Sequence, residues 1–484
     1  MYTLIALSVY ILLLFAVSRL AQRGSNEKAF FDGGRRSPWY VVAFGMIGAS
    51  ISGVSFVSVP GMVGASGFTY MQMVLGFAVG YVVIAYLLLP VYYRQNKVSI
   101  YAFLEKRFGV RTHKTASCLF ILSKSVVASA RLYVAAIVLK IFVFDKLTEH
   151  ETPFAVIVFA MMALIFLYTF RSGIKALVWT DFFQTFTLLF ALCSIVAVVC
   201  SHLGIDNIRM LAERVQHDPH TQFFVWNDWK DSRHFLKYFV SGIFITVVMT
   251  GLDQDMMQKN LTCKTLRQSQ RNMLTYGMMF IPVNLILLTL GVLLLQFAQA
   301  NQAALPSNPD EILPSLVSEG YFSSVAGVLF SLGLTASALS SADSAITALS
   351  TSAYIDLLGR KPNDHSRAIR IMLQSGFCML FAGIILLFAN IENKSALDTI
   401  YTIVSYTYGP LLGLFAYGLF TKNAAQDKYI PYICMLTIAL VFAIDHAALQ
   451  LLNYKFGYEL LMVSGLITFV ATSVTSKIKT QHGN

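Results

Sequence analysis

The chain has 484 residues, of which 56% are hydrophobic and only 13% charged, with a formal net charge of +11. Its mean hydropathy is +0.64. A soluble domain carries about 25% charged residues, so disorder, a coiled coil, a disulfide scaffold and a soluble enzyme are excluded and a polytopic membrane protein remains.

A membrane-crossing helix needs about 20 mainly apolar residues. Such stretches recur in chain order at 2–20, 39–59, 70–93, 115–144, 152–170, 174–201, 235–258, 272–299, 319–354, 369–390, 397–420, 429–449 and 457–476. Lipid satisfies no backbone polar group, so all thirteen are expected as helices. The first has no basic leader and no small-residue cleavage site, since Ser18-Arg19-Leu20-Ala21 follows it, and it reads as a retained helix.

When the loops are placed alternately, 25 of the 36 Lys and Arg fall on one side, among them Arg35, Arg107, Lys259, Lys264 and Arg370. The positive-inside rule makes that side cytoplasmic. The N-terminus is then outside and the C-terminus inside, as an odd number of spans demands. The expected location is the plasma membrane, as in a bacterial inner membrane. The basic residues thus set topology and do not mark a nucleic-acid surface. The six cysteines (Cys118, Cys193, Cys200, Cys263, Cys378, Cys434) form no C-x-x-C pair and read as small hydrophobes. There is no P-loop, kinase or H-E-x-x-H motif, so energy for transport must come from an ion gradient, the membrane potential or another subunit.

A charge at mid-bilayer costs at least about 2.5–3.5 kcal/mol, so polar residues inside the apolar stretches carry the functional information. The second stretch contains Gly48-Ala49-Ser50-Ile51-Ser52-Gly53-Val54-Ser55. This is a poor continuous helix. A break there would free carbonyls for a cation and substrate; close helix packing on small residues explains it equally. The fourth stretch carries Lys124 and Arg131, the sixth Asp181, the seventh Asp253 and Asp255, and the ninth Asp343. Asp181 reads as a cation ligand, a protonated acid, or a partner of Lys124 or Arg131. In the ninth stretch Ser337, Ser340, Ser341 and Ser344 share one helical face. Such hydroxyls suit a hard cation such as Na+, or they bond back to their own helix.

These residues together resemble the sodium:solute symporter family, which includes sodium/glucose, proline and sialic acid transporters. The resemblance runs from about 1 to 476 and is carried by Gly48–Phe56, by Trp179-Thr180-Asp181 with Gln184, by Asp253-Gln254 with Gln258, and by Ser337–Ser344. It implies an all-α membrane protein of about thirteen helices with the leucine-transporter-type five-plus-five inverted repeat. The expected divisions are an extra helix and loop at 1–38, a first repeat at 39–201, an extracellular loop at 202–234, a second repeat at 235–420 and two further helices with a short tail at 421–484. Substrate and ion would sit at the midplane between broken helices.

Carried over by position, the resemblance implies a sodium site made of Gly48, Ile51, Ser337, Ser340 and Ser341. It implies a second sodium set of Asp181, Ser340, Ser341 and Ser344, with Asp343 as a departure from the family pattern. One or two Na+ ions are therefore expected as co-transported cargo, and no other metal. The implied substrate contacts are Ser50, Ser52, Ser55, Thr69, Gln72, Arg131, Asp253 and Gln254, with Thr402, Ser405 and Tyr406. Asp253 replaces an Asn of sugar-binding relatives, and an apolar residue near Phe280 stands where galactose transporters have a lysine. A galactose-type pocket is thus not supported. Arg131 can grip a carboxylate with two parallel hydrogen bonds, or it pairs internally with Asp253 or Asp255. Ser172-Gly173 stands where relatives carry a glycine pair.

The expected function is Na+-coupled uptake of a small polar solute (a sugar, sialic acid or another carboxylate) by alternating access, not enzyme catalysis. The partners are that solute and the bilayer, with no nucleic acid, and the chain is a monomer or weak homo-oligomer. The alternatives are a proton-coupled symporter on the same fold and a non-transporting solute sensor. A sensor usually adds an output domain, and none follows residue 476.

Overall fold

A computed structural model describes residues 2–22, 27–144, 152–170, 173–227, 229, 231–361, 367–390 and 396–481. The described residues are overwhelmingly helical. Eight helices are long and apolar enough to cross a membrane, three more such segments are helix pairs bent by more than 40°, and Phe154–Thr169 and Leu460–Ser476 are shorter apolar helices. Each of the thirteen expected stretches coincides with one of these elements.

The elements that build the site are α1 (Trp39–Ser50) and α2 (Gly53–Gly61), the long helices α3 (Val110–Leu139) and α4 (Ile174–His202), α5 (Phe235–Gly251) with α6 (Gln254–Asn260), and α7 (Leu266–Ala300). They are completed by α8 (Ser324–Ser352) and by the pair α9 (Ile400–Thr407) and α10 (Gly409–Phe420). The α1/α2 pair is bent by 58°, α5/α6 by 69° and α9/α10 by 46°. Each bend has a local cause. Small residues flank Ile51, whose φ of −78° and ψ of 80° are not helical. Asp253 caps the N-terminus of α6, accepting from the Asp255 backbone N–H at 2.9 Å and from that of Met256 at 3.4 Å. Gly409-Pro410 opens α10, where proline is pre-set for a helix start.

The first bend and the small-residue packing, weighed as alternatives in the sequence, are both present. A side chain at Gly48 would collide with Thr185 Oγ1 and lie 3.0 Å from the Thr185 Cα of α4. The Gly48 N–H donates to that hydroxyl at 3.1 Å.

Contacts between loops respect the two expected sides. On the basic side Arg107 donates to the carbonyls of Gly418 and Thr421, Gln258 donates to Phe31 O, and the Arg370 guanidinium lies 3.8 Å from the Phe30 ring centroid. On the opposite side Gln296 bridges Arg214 and Asp218, and Lys237 donates to Tyr454.

Burial grades from the outside inward. The most apolar windows of Tyr2–Ala21 and Ile430–Leu452 are 22% and 28% buried, with side chains such as Leu12 and Tyr432 facing outward, whereas that of Ser324–Leu357 is 72% buried. An apolar outer surface of this kind is stable only against lipid. The serine-rich α8 therefore lies at the centre, packed on α3 and α4.

Candidate functional site

At the break after α1 the last carbonyls of the helix lose their intrahelical donors. The Ile51 carbonyl is met from α8 by Ser337 Oγ, which donates at 2.9 Å. Ser340 Oγ donates to Asp181 Oδ1 at 2.5 Å, and Ser344 Oγ to Asp343 Oδ1 at 3.2 Å. Ser341 Oγ is buried without a hydrogen-bond partner. None of these hydroxyls bonds back to a carbonyl of its own helix, whereas the flanking Ser331 and Ser350 do so, at 2.8 and 2.6 Å. Ser337 and Ser340 thus reach off α8, to Ile51 where α1 ends and to Asp181, while Ser344 turns to the neighbouring Asp343 of the same helix.

A chain of buried charges runs from this point. Asp181 ion-pairs with Lys259 of α6 at 2.8 Å, and neither Lys124 nor Arg131 is its partner. Lys259 also stands 3.7 Å from Asp255. Lys124 of α3 lies 3.0 Å from Asp253 and 2.8 Å from Asp255. Tyr408 adds a hydrogen bond to Asp253 at 3.0 Å. Removing one partner of such a desolvated pair is costly, because the other charge stays buried. Asp343, near this end of the chain, accepts from the Tyr168 hydroxyl and from Ser344.

Beside the chain lies a cavity of about 70 Å³, walled by Ala49, Ser50, Phe77, Tyr81, Lys124, Arg131, Met249, Asp253, Tyr276, Phe280, Tyr401 and Tyr408, among others. Ser50 is hydrogen-bonded to Tyr276, which accepts from Tyr81 at 2.9 Å. Arg131 donates only weakly, to Ala49 O at 3.4 Å, and its Nε is buried without a partner. Among the described residues Arg131 has no carboxylate partner, because Asp253 and Asp255 are held by Lys124.

Of the expected substrate contacts, the structure brings Ser50, Arg131 and Asp253 to this cavity. Ser52 is buried at the start of α2, and Ser55 is half-buried on that helix. Gln72 holds the outer loop through Arg233 O at 2.9 Å and the Val225 N–H at 3.2 Å, and Thr69 bonds back to Ser66 O. Gln254 pins the loop at Val98 and Ile100. Ser405 bonds back to Tyr401 O, Tyr406 donates to Asp445, and Thr402 is exposed. Ser172 lies outside the described residues.

The sodium:solute symporter family model matches residues 30–427. The chain belongs to the sodium:solute symporter family. It is 25% identical to the sodium/sialic acid symporter of Aliivibrio fischeri over 88% of this chain and 84% of that one, and 24% identical to that of Proteus mirabilis over 93% and 90%. The human sodium/iodide cotransporter is 26% identical over 84% of this chain and 62% of its own length. A Na+-coupled sialic acid symporter in its substrate-bound outward-open state superimposes with a TM-score of 0.80 at 20% identity, covering 99% of this chain and 98% of the other. The nucleobase-cation-symport-1 transporter Mhp1 does so at 0.55 and 13%, covering 92% and 93%. The fold is therefore of the leucine-transporter type. This family member is an integral membrane transporter that uses Na+ as its coupling ion, and it is not an enzyme.

For a symporter of this family, the residue that sequence reasoning missed is Lys259. In the sequence it reads as one of the basic loop residues that orient the chain, yet it is 1% exposed and sits inside the charge chain. The available signal was its spacing of four from Asp255, which puts both on one face of a short helix. The wall residues Tyr81, Tyr276 and Tyr408 gave no comparable signal in a chain with 23 tyrosines.

Proposed function

We propose that the solute is a small organic carboxylate, taken up with Na+ across a bacterial-type inner membrane. The observation that carries this reading is Arg131: a guanidinium in the cavity wall whose candidate acidic partners, Asp253 and Asp255, are instead in contact with Lys124. A partly buried guanidinium with an unsatisfied Nε and one long hydrogen bond has donors to spare, and a carboxylate is the ligand whose geometry its fork matches. Phe77, Phe280 and Met249 give the rest of the wall an apolar character suited to a short carbon chain. The relatives carry, by their names, sialic acid, iodide or monocarboxylates, all anions.

In this reading the sodium ion is held by the carbonyls of Gly48 and Ile51 with Ser337, Ser340 and Ser341. It ties the broken first helix of one five-helix repeat, 39–201, to α8 of the other, 235–420. That tie favours the outward-open arrangement and completes the cavity around Ser50, Arg131 and Asp253. Solute binding then allows occlusion and rocking to the inside, where Na+ is dilute and leaves. The remaining residues implied by the resemblance (Ser52, Ser55, Thr69, Gln72, Gln254, Thr402, Ser405, Tyr406) would act by shaping the walls and the outer loop.

The test is uptake into proteoliposomes of labelled lactate, pyruvate and sialic acid, with galactose as the neutral control, under an inward Na+ gradient. Accumulation of a carboxylate and not of galactose is expected, and it should vanish in Arg131→Gln. Equal uptake in Na+-free buffer under a pH gradient would instead favour the proton-coupled alternative, with Asp343 as the candidate carrier.

A further inference from the structure

The family resemblance offers Asp181 to a second sodium ion, with Ser340, Ser341 and Ser344 around it. In this chain that carboxylate is already engaged. Lys259 Nζ lies 2.8 Å from Asp181 Oδ2, and the two side chains are each 1% exposed. Ser340 Oγ takes the other oxygen at 2.5 Å. Asp343, the next carboxylate on α8, is engaged by Tyr168 and Ser344.

We propose that the Lys259 ammonium is a tethered replacement for the second sodium ion, so that the chain binds and moves a single Na+ with each solute molecule. The inference rests on the sodium-coupled reading and extends it to stoichiometry. The chemistry is like for like: an ammonium carries the same unit charge as Na+ and donates to the oxygens that Na+ would coordinate. Its four-carbon stem enters from the buried half-helix α6, so it cannot dissociate to either side of the membrane. A sodium ion on the same carboxylate would bring two unit cations within about 4 Å of each other. At a protein-like dielectric that repulsion weakens sodium binding on the order of a thousandfold. Ser341 Oγ, one turn along α8 from Ser337, is left without a hydrogen-bond partner among the described residues and so is available to the single ion.

Equilibrium binding of radioactive sodium to the purified full-length chain, with no solute present, tests this. One ion per wild-type chain is expected, rising to two in Lys259→Ala, where the Asp181 carboxylate is left uncompensated beside Ser340. Two ions in the wild type overturn the inference, and so does a count of one in a folded Lys259→Ala variant. No bound sodium in the wild type overturns the sodium-coupled reading as well, which separates the two failures. If Lys259→Ala does not yield folded protein, the wild-type count alone decides, one ion supporting and two overturning.

Discussion

Among the described residues Ser341 has a buried hydroxyl with no hydrogen-bond partner, one turn along α8 from the Ser337 that meets the Ile51 carbonyl. Leaving such a group unsatisfied costs about 1–3 kcal/mol, and a bound sodium ion removes that cost. Ser341→Ala should therefore raise the Na+ concentration for half-maximal uptake about tenfold, the equivalent of about 1.4 kcal/mol, with little loss of thermal stability in Na+-free buffer. A sodium dependence equal to the wild type would remove Ser341 from the site. Lys259→Ala should behave in the opposite sense for stability: it strips the partner from a fully buried carboxylate, a change that costs about 3–5 kcal/mol, and should lower the melting temperature in detergent. The combined Lys259→Met, Asp181→Asn variant should recover most of that loss, because the unpaired carboxylate at position 181 is gone and Asp255 keeps its contact with Lys124. At this scale the sequence exposed the individual charges, since a lone carboxylate in an apolar run is conspicuous. It did not expose their partners. Asp181 could be assigned to Lys124 or Arg131 by eye, and only the 69° turn between α5 and α6 folds Lys259 inward to take that place.

The broken helices are the next level, and their causes differ in legibility. The run around Ser50 announces its break by composition, because glycine and serine there forfeit helix propensity. The break before α6 is written in a single residue, Asp253, which both caps α6 and binds Lys124 and Tyr408. Its two carboxylate oxygens divide these tasks: Oδ1 accepts from the backbone, and Oδ2 meets the side chains. Asp253→Asn should keep a cap of nearly equal strength while weakening the contact with Lys124, whereas Asp253→Ala loses both. The expected result is a small loss of melting temperature for the Asn variant and a clearly larger one for Ala, with solute uptake impaired in both. Equal melting temperatures for the two would mean that the cap contributes nothing. Contacts that hold elements together by backbone carbonyls, such as Gln254 on Val98 and Gln72 on Arg233, leave no mark in a single sequence. A glutamine that braces a loop and one that binds solute look alike until the fold places them.

For the whole molecule, the decisive quantity is the charge that crosses the membrane per cycle. The buried chain holds Lys124 and Lys259 against Asp181, Asp253 and Asp255, and these groups stay with the protein. On the proposed reading, what moves is the sodium ion and a solute carboxylate held by Arg131. With one of each the translocated charge is zero, since the second cation site is filled by a side chain that cannot leave. Attraction between the two cargoes still couples them: a carboxylate on Arg131 should raise the affinity for Na+, and Na+ should raise the affinity for the carboxylate by the same factor, within the about 5–150-fold range usual for such coupling. The energetic consequence is testable. One net positive charge would gain about 2.3 kcal/mol from a potential of 100 mV, equivalent to about a fiftyfold greater steady-state accumulation. Proteoliposomes with equal Na+ gradients, with and without a potassium diffusion potential of that size, should accumulate a monocarboxylate to the same extent, while a steeper Na+ gradient should raise accumulation in direct proportion. In Lys259→Ala, where a second sodium ion joins the cargo, accumulation should become sensitive to the potential and should rise with the square of the Na+ gradient. Sensitivity to potential in the wild-type protein would mean that a second cation travels with the solute, and the role assigned to Lys259 would fail with it.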